Sequence, residues 1–138
     1  MRSNLRGSAL VEFAVSLIVL STLLTGIFQL GYTFYAYETL VHAVRAGARY
    51  ASLHGAAATN AKQFEASVRN LVAYGDPKPA RDAKPLVAGL EPKNVDLALE
   101  AATASVSIKS FTIDALFTKF HLDGRPSITF PRISGVAR

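Results

Sequence analysis

Gly7-Ser8-Ala9-Leu10-Val11-Glu12-Phe13 opens a run, FAVSLIVLSTLLTGIFQLGYTFYAY from Phe13 to Tyr37, that carries no charge. About 25 residues of helix exceed a hydrocarbon layer of roughly 30 Å, with some length left for tilt. A cleavable secretory signal has a shorter apolar stretch of about 7–15 residues and a small-x-small exit. This run ends in Tyr32, Phe34, Tyr35 and Tyr37, which suit a headgroup belt. It reads as an anchor that stays in the protein. Glu12, a lone carboxylate at its head, is the residue that most needs explaining. An ionised side chain at the centre of a membrane helix costs about 2.5–3.5 kcal/mol or more, so such residues are rare and functional.

Working outward, Met1 to Gly7 carries Arg2 and Arg6 and no acid. This leading pair places the N-terminus in the cytoplasm and the rest outside by the positive-inside rule. Arg45 and Arg49 on the far side weaken the contrast without reversing it, because a long C-terminal part translocates largely regardless of charge. The helical pattern continues past the membrane through Glu38 to His54 (ETLVHAVRAGARYASLH). Leu40, Val41, Val44, Ala48 and Ala51 form one apolar face, and Glu38, His42, Arg45 and Arg49 a charged one. Ala43, Gly47, Ala51 and Gly55 make a row of small side chains along which another helix can approach closely. Ser8 to about Leu53 is therefore expected to be one helix of roughly 70 Å.

Beyond it, Gly55 to Thr59 (GAAAT) reads as a hinge and Asn60 to Tyr74 as a short amphipathic helix. Thr59 or Asn60 caps that helix and Gly75 ends it. Asp76 to Pro85, with its prolines and charges, is an exposed loop. The period then changes to two: Val95, Leu97 and Leu99 make one half-buried strand, Ala104 to Ile108 a second, and Ile128 with Phe130 a third. A phase shift between Ile108 and Phe111 indicates a bulge or strand end. Asp114 to Phe120 reads as a helical turn and Asp123-Gly124 as a tight turn.

The fold class is α+β, with a long N-terminal transmembrane helix and a small domain of one short helix and about three antiparallel strands. The segments are 1–7 (leader), 8–54 (membrane and stalk helix), 55–93 (short helix and loop) and 94–138 (small sheet). Such a sheet cannot stand alone unless a helix covers one face. With no cysteines, disulfides cannot staple it.

Composition narrows the chemistry. The formal net charge is +5, which falls to +3 if Arg2 and Arg6 leave with the leader. The remaining basic residues are scattered, so no specific nucleic-acid partner is indicated. There is no phosphate loop, GxSxG elbow or HExxH, and His42, His54 and His121 are too dispersed to suggest a metal site. No catalytic residue, metal or cofactor is expected.

Two stretches resemble the TadE-like minor pilins, or pseudopilins, of the tight-adherence type IV pilus system. In Gly7-Ser8-Ala9-Leu10-Val11-Glu12-Phe13, Gly7 matches the residue before the prepilin-peptidase cut and Glu12 the fifth residue of the mature chain. Phe13, an aromatic directly after the Glu, matches the tight-adherence variant of the signal. The second stretch, Ala43-Val44-Arg45-Ala46-Gly47-Ala48-Arg49-Tyr50-Ala51, is similar to the end of the long helix in that family. Gly89-Leu90-Glu91-Pro92-Lys93-Asn94-Val95 is a third, less specific likeness.

The resemblance implies a pilin-like fold, no enzymatic activity, and cleavage between Gly7 and Ser8 by a prepilin peptidase. Its implied partners are other pilins and the tight-adherence secretion platform. Its implied location is the bacterial inner membrane, single pass, with the C-terminal domain in the periplasm and incorporation into a pilus as a further expectation. The alternative is an uncleaved bitopic protein with a periplasmic binding or scaffolding domain.

Overall fold

The computed structural model describes residues 5–55, 58–115 and 118–132. Helix α1 spans Leu5–His54, about 75 Å, and α2 spans Ala61–Tyr74. A short 3-10 turn, Pro92–Asn94, leads into five strands: β1 Val95–Leu99, β2 Thr103–Ile108, β3 Phe111–Asp114, β4 Lys119–Leu122 and β5 Ser127–Pro131. The class is α+β. Met1 to Asn4 of the expected leader, Ala56 and Ala57 of the expected hinge, and the residues after Arg132 lie outside the described residues.

The two halves of α1 have different surroundings. From Leu10 to Tyr35 its large apolar side chains are exposed, Phe13 at 66% and Phe34 at 68%. From Ala36 onward one stripe is buried: Ala36, Leu40, Ala43, Val44, Ala48 and Ala51. Spacings of three and four residues put these on one side of the helix, and the outer domain packs there.

α2 is delimited by its caps. Asn60 has extended backbone (φ −127°), and its side-chain oxygen accepts from the Gln63 N–H at 3.3 Å. Gly75 adopts φ +79°, a left-handed conformation that costs glycine nothing, and its N–H donates to the Leu71 carbonyl at 2.9 Å. Phe64, Val68 and Val72 are buried against α1, each worth about 1.5–3 kcal/mol when fully covered. Glu65 and Arg69 pair at 2.6 Å across one helical turn, away from that seam.

The main sheet has the order β1-β2-β5, all antiparallel. Val106 sits opposite Leu97 on one side and Ile128 on the other, and Ala104 opposite Leu99 and Phe130. Cross-strand partners share a face, so these residues, with Val95 and Ile108, make one apolar surface. α1 lies along β2 and β5 and α2 along β1, which supplies the cover that so small a sheet requires.

The strand phase changes where β2 ends. Ala104, Val106 and Ile108 are buried in β2, whereas Phe111 and Ile113 are buried in β3. The switch is made at Lys109 and Ser110, the latter with φ 50°. Asn94 holds it: its carbonyl accepts from the Lys109 N–H at 2.7 Å, and its amide donates to the carbonyls of Lys109 and Ser110 at 3.4 and 3.1 Å.

One element departs from the sequence reading. Asp114 to Phe120 is not a helical turn; β3 and β4 form a separate antiparallel hairpin, with Leu116 and Phe117 outside the described residues. Phe111 pairs with Leu122 and Ile113 with Phe120, and Thr112 and His121 are hydrogen-bonded at 2.7 Å. β-Branched and aromatic residues on a half-buried surface favour this extended pairing.

Candidate processing and assembly site

Gly7, Ser8, Glu12 and Phe13 all lie within α1, in its exposed N-terminal half. A Cβ added at Gly7 would meet nothing within 4 Å, so among the described residues none packs over this position. Ser8 and Glu12 are four residues apart, on one helix face and about 6 Å apart along the axis. Among the described residues no cation lies within 4 Å of the Glu12 carboxylate.

Three threonine hydroxyls of the apolar run are served locally. The hydroxyls of Thr22, Thr25 and Thr33 donate to the carbonyls of Ile18, Ser21 and Gln29 at 2.8, 2.8 and 2.9 Å. In lipid such internal bonds remove the cost of an unpaired hydroxyl. Glu12 differs: it is ionisable and without a partner in its own chain among the described residues. The geometry presents a carboxylate and a sterically unhindered helical glycine on a bare apolar rod.

The small-residue row has a different environment. Ala43 and Ala51 are buried, and α2 of the same chain lies against them. A Cβ built at Gly47 would overlap the Val72 Cγ2 methyl, and one at Gly55 would come within 3.7 Å of the Phe64 ring. Tyr50 stacks on Phe64 with centroids 6.0 Å apart, and on His54 at 4.3 Å. The helix admitted by this row is thus the chain's own α2.

The charged face of α1 borders a second feature. His42, Arg45 and Arg49 line a cleft of about 610 Å³ with Ser52, Phe130 and Pro131. Glu38 lies 3.8 Å from His42, both well exposed, and surface pairs of this kind contribute about 0–1 kcal/mol. No carboxylate lies within 4 Å of Arg45 or Arg49 among the described residues. Nor do those residues hold a cluster of His, Asp and Glu able to bind a metal.

Sequence reasoning passed over Ser52. Its buried hydroxyl donates to the Pro131 carbonyl at 2.6 Å and ties α1 to β5. The available signal was its place four residues after Ala48, a polar group on the buried stripe.

α1 is long and apolar enough to cross a membrane, with a mean hydropathy of 2.1 over its most apolar window, and it suggests a single-pass membrane protein. Residues 7–49 match the family model of TadE-like protein. No curated protein and no solved structure matches the chain. The matched segment contains Gly7, Ser8, Glu12 and Phe13 together with the start of the α2 seam, and is consistent with a TadE-like protein of the Tad pilus system. That family is structural rather than enzymatic and implies association with the Tad pilus machinery.

Proposed function

We propose that this TadE-like chain is a minor pilin, or pseudopilin, of a tight-adherence pilus, cut by a prepilin peptidase and acting in pilus assembly and adhesion. The observation that carries the reading is the bare apolar half of α1, headed by Gly7 and Glu12 and lying within the family match. In a bilayer this half is covered by lipid. In a filament it is covered by the same half of neighbouring subunits, and the outer domain leaves it free for either.

In this reading the peptidase cuts between Gly7 and Ser8 on the cytoplasmic side. Glycine lets the backbone enter an extended cleft, where a bulky side chain would clash. Cleavage removes Arg2 and Arg6 and creates a positive α-amino group on Ser8. Glu12 lies one turn further in, where a lone carboxylate is costly and a cation correspondingly favourable. A neighbour's new N-terminus supplies that cation in a staggered bundle, so the pair sets register while each charge neutralises the other. Other pilins and the secretion platform are the partners, with the domain on the periplasmic side.

The test is complementation of a deletion in the native host. The wild-type chain should restore pili, while Glu12→Gln should reach the membrane and leave the cells bald or sparsely piliated. Full piliation with Glu12→Gln would reduce Glu12 to a tolerated polar residue at the membrane edge.

A further inference from the structure

We propose that the cleft between the basic face of α1 and β5 docks an acidic helix of another protein, with carboxylates on Arg45 and Arg49 and an apolar side chain against Leu53. Arg45, Arg49 and Leu53 follow one another at four-residue steps, about 6 Å apart along the axis, and all three are exposed. Phe130 and Pro131 of β5 line the same cleft. Two observations besides the cleft seat β5 there. The Ser52 hydroxyl donates to the Pro131 carbonyl at 2.6 Å, and α1 packs against both β5 and β2.

Charge selects the occupant. Arg69, Lys93, Lys109 and Lys119 each have a carboxylate of the same chain within 4 Å. Arg45 and Arg49 have none among the described residues, although like charges at their spacing repel. Carboxylates brought from outside remove that repulsion, and the planar guanidinium is built to hold them. Lipid headgroups do not reach this level. A hydrocarbon layer of about 20 helical residues counted from Phe13 ends near Tyr32, and Arg45 lies about 20 Å beyond it. An anionic sugar polymer satisfies the arginines but leaves Leu53, 49% exposed, and Phe130 uncovered. An added strand is blocked at this end of β5, the last strand of its sheet, because Pro131 has no N–H and Ser52 already bonds its carbonyl. Side chains remain to be read. A helix with carboxylates at i and i+4 presents them at the same step of about 6 Å as the arginines.

The inference is independent of leader cleavage and of a pilin role, so its failure leaves that role standing. Full-length protein is placed in phosphatidylcholine nanodiscs, and the probes are fluorescent Ala-rich helical peptides followed by anisotropy at low salt. One peptide carries Glu at i and i+4 and Leu at i+8; the second has Gln in place of both Glu, and the third Lys. The wild-type chain should prefer the Glu peptide over the Gln peptide about tenfold, the worth of two exposed ion pairs. Arg45→Gln with Arg49→Gln should bring that ratio to one. Arg45→Glu with Arg49→Glu should transfer the preference to the Lys peptide, which a damaged fold would not do. Leu53→Gln should weaken the Glu and Gln peptides alike and leave their ratio unchanged. No Glu preference in the wild-type chain, or a preference that survives loss of both arginines, overturns the proposal. Polygalacturonate, which has carboxylates and no apolar groups, should displace the Glu peptide poorly; displacement at equal carboxylate concentration overturns a protein helix as the occupant.

Discussion

Gly47→Ala should destabilise the outer domain, against the usual sign for this change in a helix. Helix propensity alone favours Ala over Gly by about 0.8–1 kcal/mol. Here the added Cβ overlaps the Cγ2 of Val72, a side chain that is fully buried and stiff at χ1. Overpacking of this kind costs about 1–3 kcal/mol, so the net loss is about 1 kcal/mol. Val72→Ala deletes the offending methyl. Alone it should cost about 2 kcal/mol, from two methyl groups at about 0.8 kcal/mol each and the cavity left behind. In that background Gly47→Ala should become stabilising by about 1 kcal/mol, because the new methyl enters vacated space and the propensity term remains. Gly47→Leu goes further: α2 must lift away, and Phe64, Val68 and Val72 lose burial worth roughly 5 kcal/mol together. That approaches the whole stability of a small domain, about 5–15 kcal/mol. Pulse proteolysis of the full chain in detergent across a urea series reads these differences as shifts in the population of the open form. Equal stabilisation by Gly47→Ala in both backgrounds would show that α2 does not sit on Gly47.

Three further outcomes are expected. Gly7→Val should leave uncut precursor in the membrane when a matched peptidase is present, checked by gel mobility against the wild-type chain. Glu12→Gln should be processed nearly normally because its partner forms only after the cut, and Glu12→Asp should assemble at an intermediate level, its shorter reach lengthening the contact; counting pili per cell checks both. Ser52→Ala removes the 2.6 Å bond to the Pro131 carbonyl and should cost about 1 kcal/mol, measured by the same proteolysis series.

The helices were the most legible part of the chain. α1 declared itself through an uninterrupted apolar run that passes into a three-and-four stripe. Thr59 or Asn60 at one end and Gly75 at the other marked α2, and Asn60 is the cap that forms, since a capping side chain and a left-handed glycine are local requirements. β1, β2 and β5 were readable because each alternates across a single buried face. The β3–β4 hairpin was not, because DALFTKF has no alternation and no turn dipeptide. Its pairing depends on burial of Phe111 and Ile113 beneath the rest of the domain. For the small-residue row, the capacity to admit a helix was legible in Ala43, Gly47, Ala51 and Gly55. The identity of that helix was not, since nothing local ties Val72 to Gly47. The fold does not bear on the reading of Gly7, Ser8, Glu12 and Phe13: they stand apart on bare helix, and that reading rests on spacing and on the cost of a carboxylate in lipid.

The most direct test is the intact mass of the full-length protein co-expressed with a matched prepilin peptidase and with a catalytically dead one. The account predicts a mature chain beginning at Ser8 with the active peptidase and the complete chain from Met1 with the dead one. A mass that still includes Met1 to Gly7 in both would contradict it and leave an uncleaved membrane protein in place of a pilin.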